Sequence, residues 1–381
     1  MRREGFLPYC QPSIGEEEIR EVVDTLKSGW LTTGPKVERF EQLLAQYTGA
    51  KYAVAVNSCT AALHLSLIAL GIRKGDEVIT TPFTFPATAN VIVHVGAKPI
   101  FADIKLDTYN IDPEEVNKAV TPKTKAIIPV HYAGQPYDIE AIKEIADDQD
   151  LYVIEDAAHA LGAEYDGRKV GTFGHSTCFS FYATKNITTG EGGAVTTDSK
   201  ELADRLRVLR LHGLDKDAWK RYSSGGSWYY ELRECGFKEN MTDIQAALGI
   251  CQMRKLDMFI EIRRKYAEIY NRELKKQSNV ITPYEKMNVK HPYHLYPILV
   301  EGYDRARFVE KMGELGIGCS VHYIPLHMHP FYKDTFHFEE GDFPHAEQVS
   351  AKEVSLPLYP KMREEDIWDV VSSVKQLLGT M

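Results

Sequence analysis

Seven short apolar runs that alternate with helix-like stretches are the feature that most constrains what this chain can fold into. They cover residues 52–56, 78–80, 99–103, 126–130, 152–155, 177–181 and 194–197. Strands that alternate with helices build a layered α/β sheet, because each crossover returns the chain to the same edge. All seven fall in the first two thirds of the 381 residues. Ser13 followed by Glu16 predicts a capped helix start, and Ile19, Val22, Val23 and Leu26 then repeat at helical spacing until Gly29. The run 52–56 meets Asn57-Ser58-Cys59-Thr60, and a helix is expected over 61–70.

Thr242 with Gln245 forms a second capping-box pattern. It opens a long helical repeat through Leu248, Leu256, Phe259 and Ile260 toward Leu274, which would carry the chain out of the first domain. The last hundred residues predict a strand at 294–300, a helix at 306–315 and a second strand at 318–323. A closing helix uses Ile367, Val370, Val371, Val374 and Leu378, with Gly379 as its stop. The length suits two domains, and the boundary is placed near residue 250: a large domain over 1–250, including an N-terminal arm, and a small C-terminal domain over 251–381.

Composition narrows the function classes. Apolar residues make up 44%, which argues against a disordered or fibrous chain. The 45 Lys and Arg against 54 Asp and Glu leave a net charge of −9, a poor balance for binding nucleic acid. The most apolar stretch, 61–72, is broken by His64 and Ser66 and is shorter than the ~20 residues a bilayer requires. No apolar segment follows Met1-Arg2-Arg3, so no secretory signal is expected. Six scattered cysteines without a C-x-x-C pair read as reduced thiols of a cytoplasmic protein. His322, His327 and His329 lack a flanking cysteine or carboxylate cluster, so no metal site is expected. There is no dinucleotide glycine fingerprint, P-loop, nucleophile elbow or zinc-protease motif.

Three segments carry chemistry. In the first, an apolar strand ends at Ser180 and Lys185 follows in a turn of small and hydroxyl residues, before glycines that precede a new strand. A lysine in such a loop forms a Schiff base with an aldehyde if its environment lowers its pKa; otherwise it is a solvated turn lysine. In the second, Val153-Ile154-Glu155-Asp156-Ala157-Ala158-His159 delivers Asp156 to a strand's C-terminal end, where α/β ligand sites gather. A carboxylate buried there needs a cation, either a protonated pyridine nitrogen or a structural salt-bridge partner. In the third, Ser58-Cys59-Thr60 joins a strand to a helix start, a candidate anion site or a plain N-cap. Phe85 is a ring stacker or core.

In this chain order, Thr60, Phe85, Asp156 and Lys185 resemble the DegT/DnrJ/StrS family of sugar aminotransferases, which use pyridoxal 5′-phosphate (PLP). The matching stretches are Ser28-Gly29-Trp30-Leu31-Thr32-Thr33-Gly34-Pro35, Asn57 to Ala62, Glu155 to Ala160, Lys185-Asn186-Ile187-Thr188 and Met241 to Ala247, so the resemblance covers nearly the whole chain. Val130-His131-Tyr132-Ala133-Gly134 and Lys185-Asn186-Ile187-Thr188 resemble the subgroup of 4-amino-sugar enzymes typified by UDP-4-amino-4-deoxy-L-arabinose–oxoglutarate aminotransferases.

The resemblance implies the type I aminotransferase fold: a large mixed-sheet α/β domain with a smaller α+β domain. It implies that Lys185 forms the Schiff base and moves the proton, that Asp156 keeps the pyridine nitrogen protonated, and that His159 sits near the ring hydroxyl. Thr60, Ala61 and Ser180 would hold the phosphate and Phe85 would stack on one ring face. Asn240 would reach the cofactor phosphate of a partner subunit in a homodimer with shared active sites. Phe237-Lys238-Glu239-Asn240 departs from the family pattern there, with Lys238 as the next candidate, and Cys59 stands where a glycine is common.

The implied reaction moves an amino group from L-glutamate, which leaves as 2-oxoglutarate, through pyridoxamine phosphate to a nucleotide-diphosphate keto-sugar. Amination is expected at C4, for glycan synthesis; C3 amination and a catalytically silent PLP-binding regulator are the alternatives. A family dehydratase would carry His in place of Lys185. Thr32, Thr33, Tyr229, His322 and His329 are candidates for substrate contacts, and the aromatic, glycine-containing loop 222–230 for a nucleotide lid.

Overall fold

A computed structural model describes residues 5–215 and 229–379. Its centre is a seven-stranded sheet built from β1 (Tyr52–Val56), β2 (Glu77–Thr80), β3 (Lys98–Phe101), β4 (Thr124–Ile128), β5 (Tyr152–Asp156), β8 (Ser176–Ser180) and β9 (Gly193–Thr197). Between β5 and β8 lies a small hairpin, β6 (Glu164–Tyr165) and β7 (Arg168–Lys169). The sheet order is β1-β9-β8-β5-β4-β2-β3. Only β9 runs against its neighbours, so the other six strands end at one edge. Each expected strand of this sheet is present to within two residues at either end.

Helices cover the sheet. In chain order they are α1 (Glu16–Ser28), α2 (Pro35–Thr48), α3 (Cys59–Ala69), α4 (Pro86–His94), α5 (Pro113–Ala119), α6 (Ile139–Gln149) and α7 (Lys200–Leu209). The α3 helix is apolar nearly all round because it packs on β8 and β9 with α4 and α7 beside it. The start of α1 differs from expectation: Gly15, not Ser13, is its N-cap, and Glu18 takes the Gly15 N–H at 2.9 Å. Glu18 is fixed there by Lys255 and Gln252, partners more than 200 residues away that a local pattern does not contain.

The Thr242–Gln245 capping box forms as expected and opens α8 (Asp243–Leu274), a single helix of 32 residues. Its first half, through Ile260, packs into the core of the large sheet. From Tyr266 onward it lines a second core, with α9 (Arg305–Glu314) and the closing helix over Glu364–Leu378. That core covers a three-stranded sheet of order β10-β12-β13, with β10 (Val280–Ile281), β12 (Tyr296–Val300) and β13 (Glu353–Leu356). The short β11 (Val289–Lys290) pairs instead with β6.

The expected strand at 318–323 does not form; one isolated bridge, Ser320 with Ser355, stands in its place. Side chains occupy the backbone groups that a ladder would use. Glu353 takes the His322 N–H at 2.7 Å, and the Tyr132 hydroxyl donates to the His322 carbonyl at 2.5 Å. β12 pairs with β13 on one side and β10 on the other. Among the described residues no helix is long and apolar enough to cross a membrane, and all six cysteines are free thiols.

Candidate active site

The strand ends meet in register. Val56 and Ser180 both lie opposite Gly193, and Asp156 lies opposite Cys178. Turns leaving β1, β2, β5 and β8 therefore converge on one edge, the position at which α/β sheets bind ligands. A cavity of about 670 Å³ opens there. Thr60, Phe85, Asp156, His159, Ser180, Lys185, His322 and His329 all lie on its wall, so eight of the residues expected from sequence share one pocket.

Ser58 caps α3, accepting the Ala61 N–H at 3.1 Å. Cys59 and Thr60 are the first helical residues, and their N–H groups have no acceptor inside the helix. With the helix dipole, they make an anion cradle on the cavity wall. The N–H of Ala61 is already donated to the cap, and Ala61 lies off the wall. Gly193 lets β9 begin against this turn: a Cβ there would lie 2.3 Å from the Ser58 carbonyl carbon.

Asp156 is buried with no salt bridge among the described residues. Its Oδ2 accepts from Thr88 Oγ1 at 2.8 Å and its Oδ1 from the Ala158 N–H at 3.1 Å. Burial pushes its pKa up, and those two bonds resist. A buried carboxylate with no ion-pair partner among the described residues is the fitting counterpart of a protonated heterocyclic nitrogen. Beneath it, Glu155 and His131 form a fully buried pair at 2.9 Å, and the His131 N–H holds the Asp156 carbonyl.

Lys185 follows β8 in a tight turn, its N–H on the Tyr182 carbonyl. Lys185 is half-buried on the cavity wall, and burial draws its pKa down to about 8 against the opposing pull of Cys59, Asp156 and Cys10. About a tenth of the amine is then neutral at pH 7, far more than for an ordinary lysine, and the neutral amine is the form a nucleophilic or proton-carrying group requires. His159 is held neutral, first by burial and then by Lys185. The Ala133 N–H donates to its Nδ1 at 3.3 Å, so the ring hydrogen sits on Nε2 and points at the Tyr323 hydroxyl 3.2 Å away.

The remaining wall comes from the C-terminal part of the chain: His294, Ser320, Val321, Tyr323, Ile324 and Leu358. Sequence reasoning missed His294 and Tyr323. His294 is buried with Nδ1 unpaired, and its ring packs on His159 at 4.5 Å. Tyr323 adjoins the candidate His322, which was the one signal available for it.

Besides Ala61, four expected residues lie off this wall. Asn240 donates from Nδ2 to Thr33 Oγ1 at 2.7 Å and accepts from Lys238 Nζ at 2.6 Å. Thr33 donates to the Met241 carbonyl and faces a separate cavity of about 360 Å³. Thr32 is exposed, its carbonyl taking the Asp243 N–H. Tyr229 is exposed and donates to Glu231 at 3.1 Å. The rest of the expected lid, 222–228, lies outside the described residues.

An anion cradle, a buried acid and a depressed lysine on one sheet edge define a PLP enzyme of the type I aminotransferase fold. Residues 12–375 match the model of the DegT/DnrJ/EryC1/StrS aminotransferase family, and the chain belongs to that family. It is 59% identical over 383 residues to the uncharacterized protein MJ1066 of Methanocaldococcus jannaschii, covering 100% of this chain and 99% of that one. It is 51% identical to the spore coat polysaccharide biosynthesis protein SpsC of Bacillus subtilis, over 99% and 98% of the two chains. Among solved structures it is similar to the putative sugar aminotransferase Spr1654 of Streptococcus pneumoniae in its PMP-form. There the TM-score is 0.93 at 35% identity, over 98% of this chain and 99% of that one. The protein is a PLP-dependent sugar aminotransferase, with pyridoxamine phosphate as the alternate cofactor form.

Proposed function

We propose that the protein transfers the amino group of L-glutamate to C4 of a nucleotide-diphosphate keto-sugar, supplying an amino sugar for a cell-surface glycan. The observation that carries this reading is the meeting of Lys185 and Asp156 on one cavity wall, with the Cys59–Thr60 cradle beside them. The description of SpsC supports the polysaccharide setting.

When bound, PLP supplies an aldehyde for amine exchange and an electron sink for the carbanion. The residues of this chain divide the remaining work. Cys59 N–H, Thr60 and Ser180 would hold the phosphate, and Phe85, 60% exposed on the wall, would stack on the ring. Asp156 would hold the ring nitrogen protonated, and Thr88 and Ala158 fix its two oxygens. With the cofactor bound, the Lys185 amine would be the group that takes up and carries the substrate proton at Nζ. This requires the neutral form, which grows as pH rises toward and past about 8. His159, neutral and anchored on Ala133, orients Tyr323.

We further propose a homodimer in which Asn240 of one subunit serves the neighbouring site. Ile19, Val23, Leu26 and Leu31 stay exposed at the N-terminal end of the chain, an apolar surface suited to a second copy.

The test is a panel of UDP- and dTDP-linked 4-keto and 3-keto sugars incubated with the PLP-loaded protein and L-glutamate, with products located by NMR. Amination at C4 is expected. Amination at C3 alone would overturn the regiochemistry, and no amination of any keto-sugar would overturn the sugar assignment.

A further inference from the structure

The first residue of β13 is a carboxylic acid buried without a partner cation. Glu353 has no solvent exposure. Its Oε2 takes the His322 N–H at 2.7 Å, and its Oε1 shares a hydrogen with Ser355 Oγ at 2.6 Å. Ser355 Oγ lies 2.9 Å from Nδ1 of His322. The His322 ring forms part of the cavity wall, and its Nε2 has no hydrogen-bond partner among the described residues. A chain of hydrogen bonds thus runs from a sealed carboxyl group to an open ring nitrogen in the active site.

Each link has a direction, because Ser355 carries a single hydroxyl hydrogen. A backbone N–H only donates, so Oε2 is an acceptor in either charge state and any proton on Glu353 sits on Oε1. If Glu353 is ionised, Ser355 donates to Oε1 and accepts from Nδ1–H. A neutral His322 then presents a bare Nε2 acceptor to the cavity. If Glu353 is protonated, Oε1–H donates to Ser355, which donates to Nδ1, and the ring hydrogen moves to Nε2.

The surroundings favour the second arrangement at neutral pH. Arg305, the nearest cation, is engaged with the Ser350 carbonyl and acts on Glu353 only at longer range. Burial pushes Glu353 up to about 8, against the bonds from Ser355 and His322. Tyr9, Tyr109, Tyr132 and Tyr323 face Glu353, as does Cys319, and burial keeps each of them protonated. Lys185, His159 and His294 face His322 across the cavity. Burial and the Lys185 charge bring His322 down to about 3, so its ring is neutral.

We propose that Glu353 and Ser355 are positioning residues that make His322 a hydrogen-bond donor to the carboxylate of the amino-acid substrate, and that ionising Glu353 turns the same nitrogen into an acceptor. Among the described wall residues Lys185 is the sole Lys or Arg. A carboxylate entering this pocket therefore depends on neutral donors once Lys185 has given up its charge. The ligand assignment rests on the aminotransferase reading of the cavity, whereas the tautomer relay does not.

The experiment uses the PLP-loaded protein with ¹⁵N-labelled histidine, His322 being assigned by difference from His322→Asn. Its ring nitrogen shifts are followed from pH 6.5 to 9.5. The expected result is the Nε2–H form at pH 6.5, passing to the Nδ1–H form with a midpoint near 8, and a Glu353→Gln variant fixed in the Nε2–H form throughout. The Nδ1–H form at pH 6.5 in the unaltered protein would overturn the relay, and that spectrum needs no variant to fold. In a second arm the loaded protein reacts with L-glutamate alone, in the absence of any sugar. His322→Phe, which removes the donor itself, should raise the concentration of L-glutamate for half-maximal rate about tenfold, the loss expected for one hydrogen bond to a charged group, and that concentration should rise between pH 7 and pH 9 in the unaltered protein but not in Glu353→Gln. An unchanged value in His322→Phe, with the tautomer relay intact in the unaltered protein, would overturn the carboxylate assignment and leave the relay standing.

Discussion

The two walls of the cavity are built by different means. One wall, carrying Ser58–Thr60, Asp156, Ser180 and Lys185, hangs from the ends of strands whose register is fixed by a seven-stranded sheet. The other, carrying His294 and Ser320 to Ile324, comes from irregular backbone held by side chains distant in sequence. Strand ends place chemistry by topology, so that wall holds whatever serves every turnover. The irregular wall adapts residue by residue, which suits it to recognise the substrate.

Breaking the first wall should therefore damage every reaction of the cofactor. Lys185→Ala should lower amino transfer by ~10⁴-fold, the upper range for a positioned proton carrier, and pyridoxamine phosphate should still bind. Single-turnover kinetics in both directions checks this. Asp156→Asn should lower both half-reactions by ~10²- to 10³-fold, as loss of a preorganised charge does. Gly193→Ala should destabilise the fold by about 1–3 kcal/mol and weaken PLP binding, because the new Cβ meets the Ser58 backbone. Chemical denaturation and PLP titration measure the two effects.

Changes in the second wall should be smaller and confined to substrate binding or to pH. The raised pKa of Glu353, about 8 against an ordinary 4.5, means that the folded chain keeps a proton the unfolded chain releases. Stability should therefore fall as pH rises from about 4.5 to 8, by at most ~1.4 kcal/mol per unit. Glu353→Gln should remove that decline. Denaturation midpoints at pH 5 and pH 8 for the two proteins give the comparison. A decline of equal size in both proteins would mean that Glu353 is not its source.

The same contrast explains what could be read in the sequence. Each large-sheet strand is an apolar run, Asp156 follows one directly and Lys185 lies in the turn after another, so local pattern locates them. The Thr242–Gln245 cap is local as well, and it forms. Glu18, by contrast, caps α1 because Lys255 and Gln252 hold it from the far end of the chain. The stretch 318–323 has the composition of a strand, yet the backbone of His322 is taken up by Glu353 and Tyr132. Tyr132 lies 190 residues away from it. No window along the sequence contains that pairing, and His294, Tyr323 and Glu353 escaped notice for this reason. Asn240 and Thr33 were readable as a family pattern, but the chain on its own binds them to each other, away from Lys185.

The most direct measurement is to add PLP to the purified protein, reduce with borohydride, and map the labelled peptide by mass spectrometry. A single pyridoxyl adduct on Lys185, lost when L-glutamate is added before reduction, is the predicted result. An adduct on another lysine, or none on Lys185, would contradict the account.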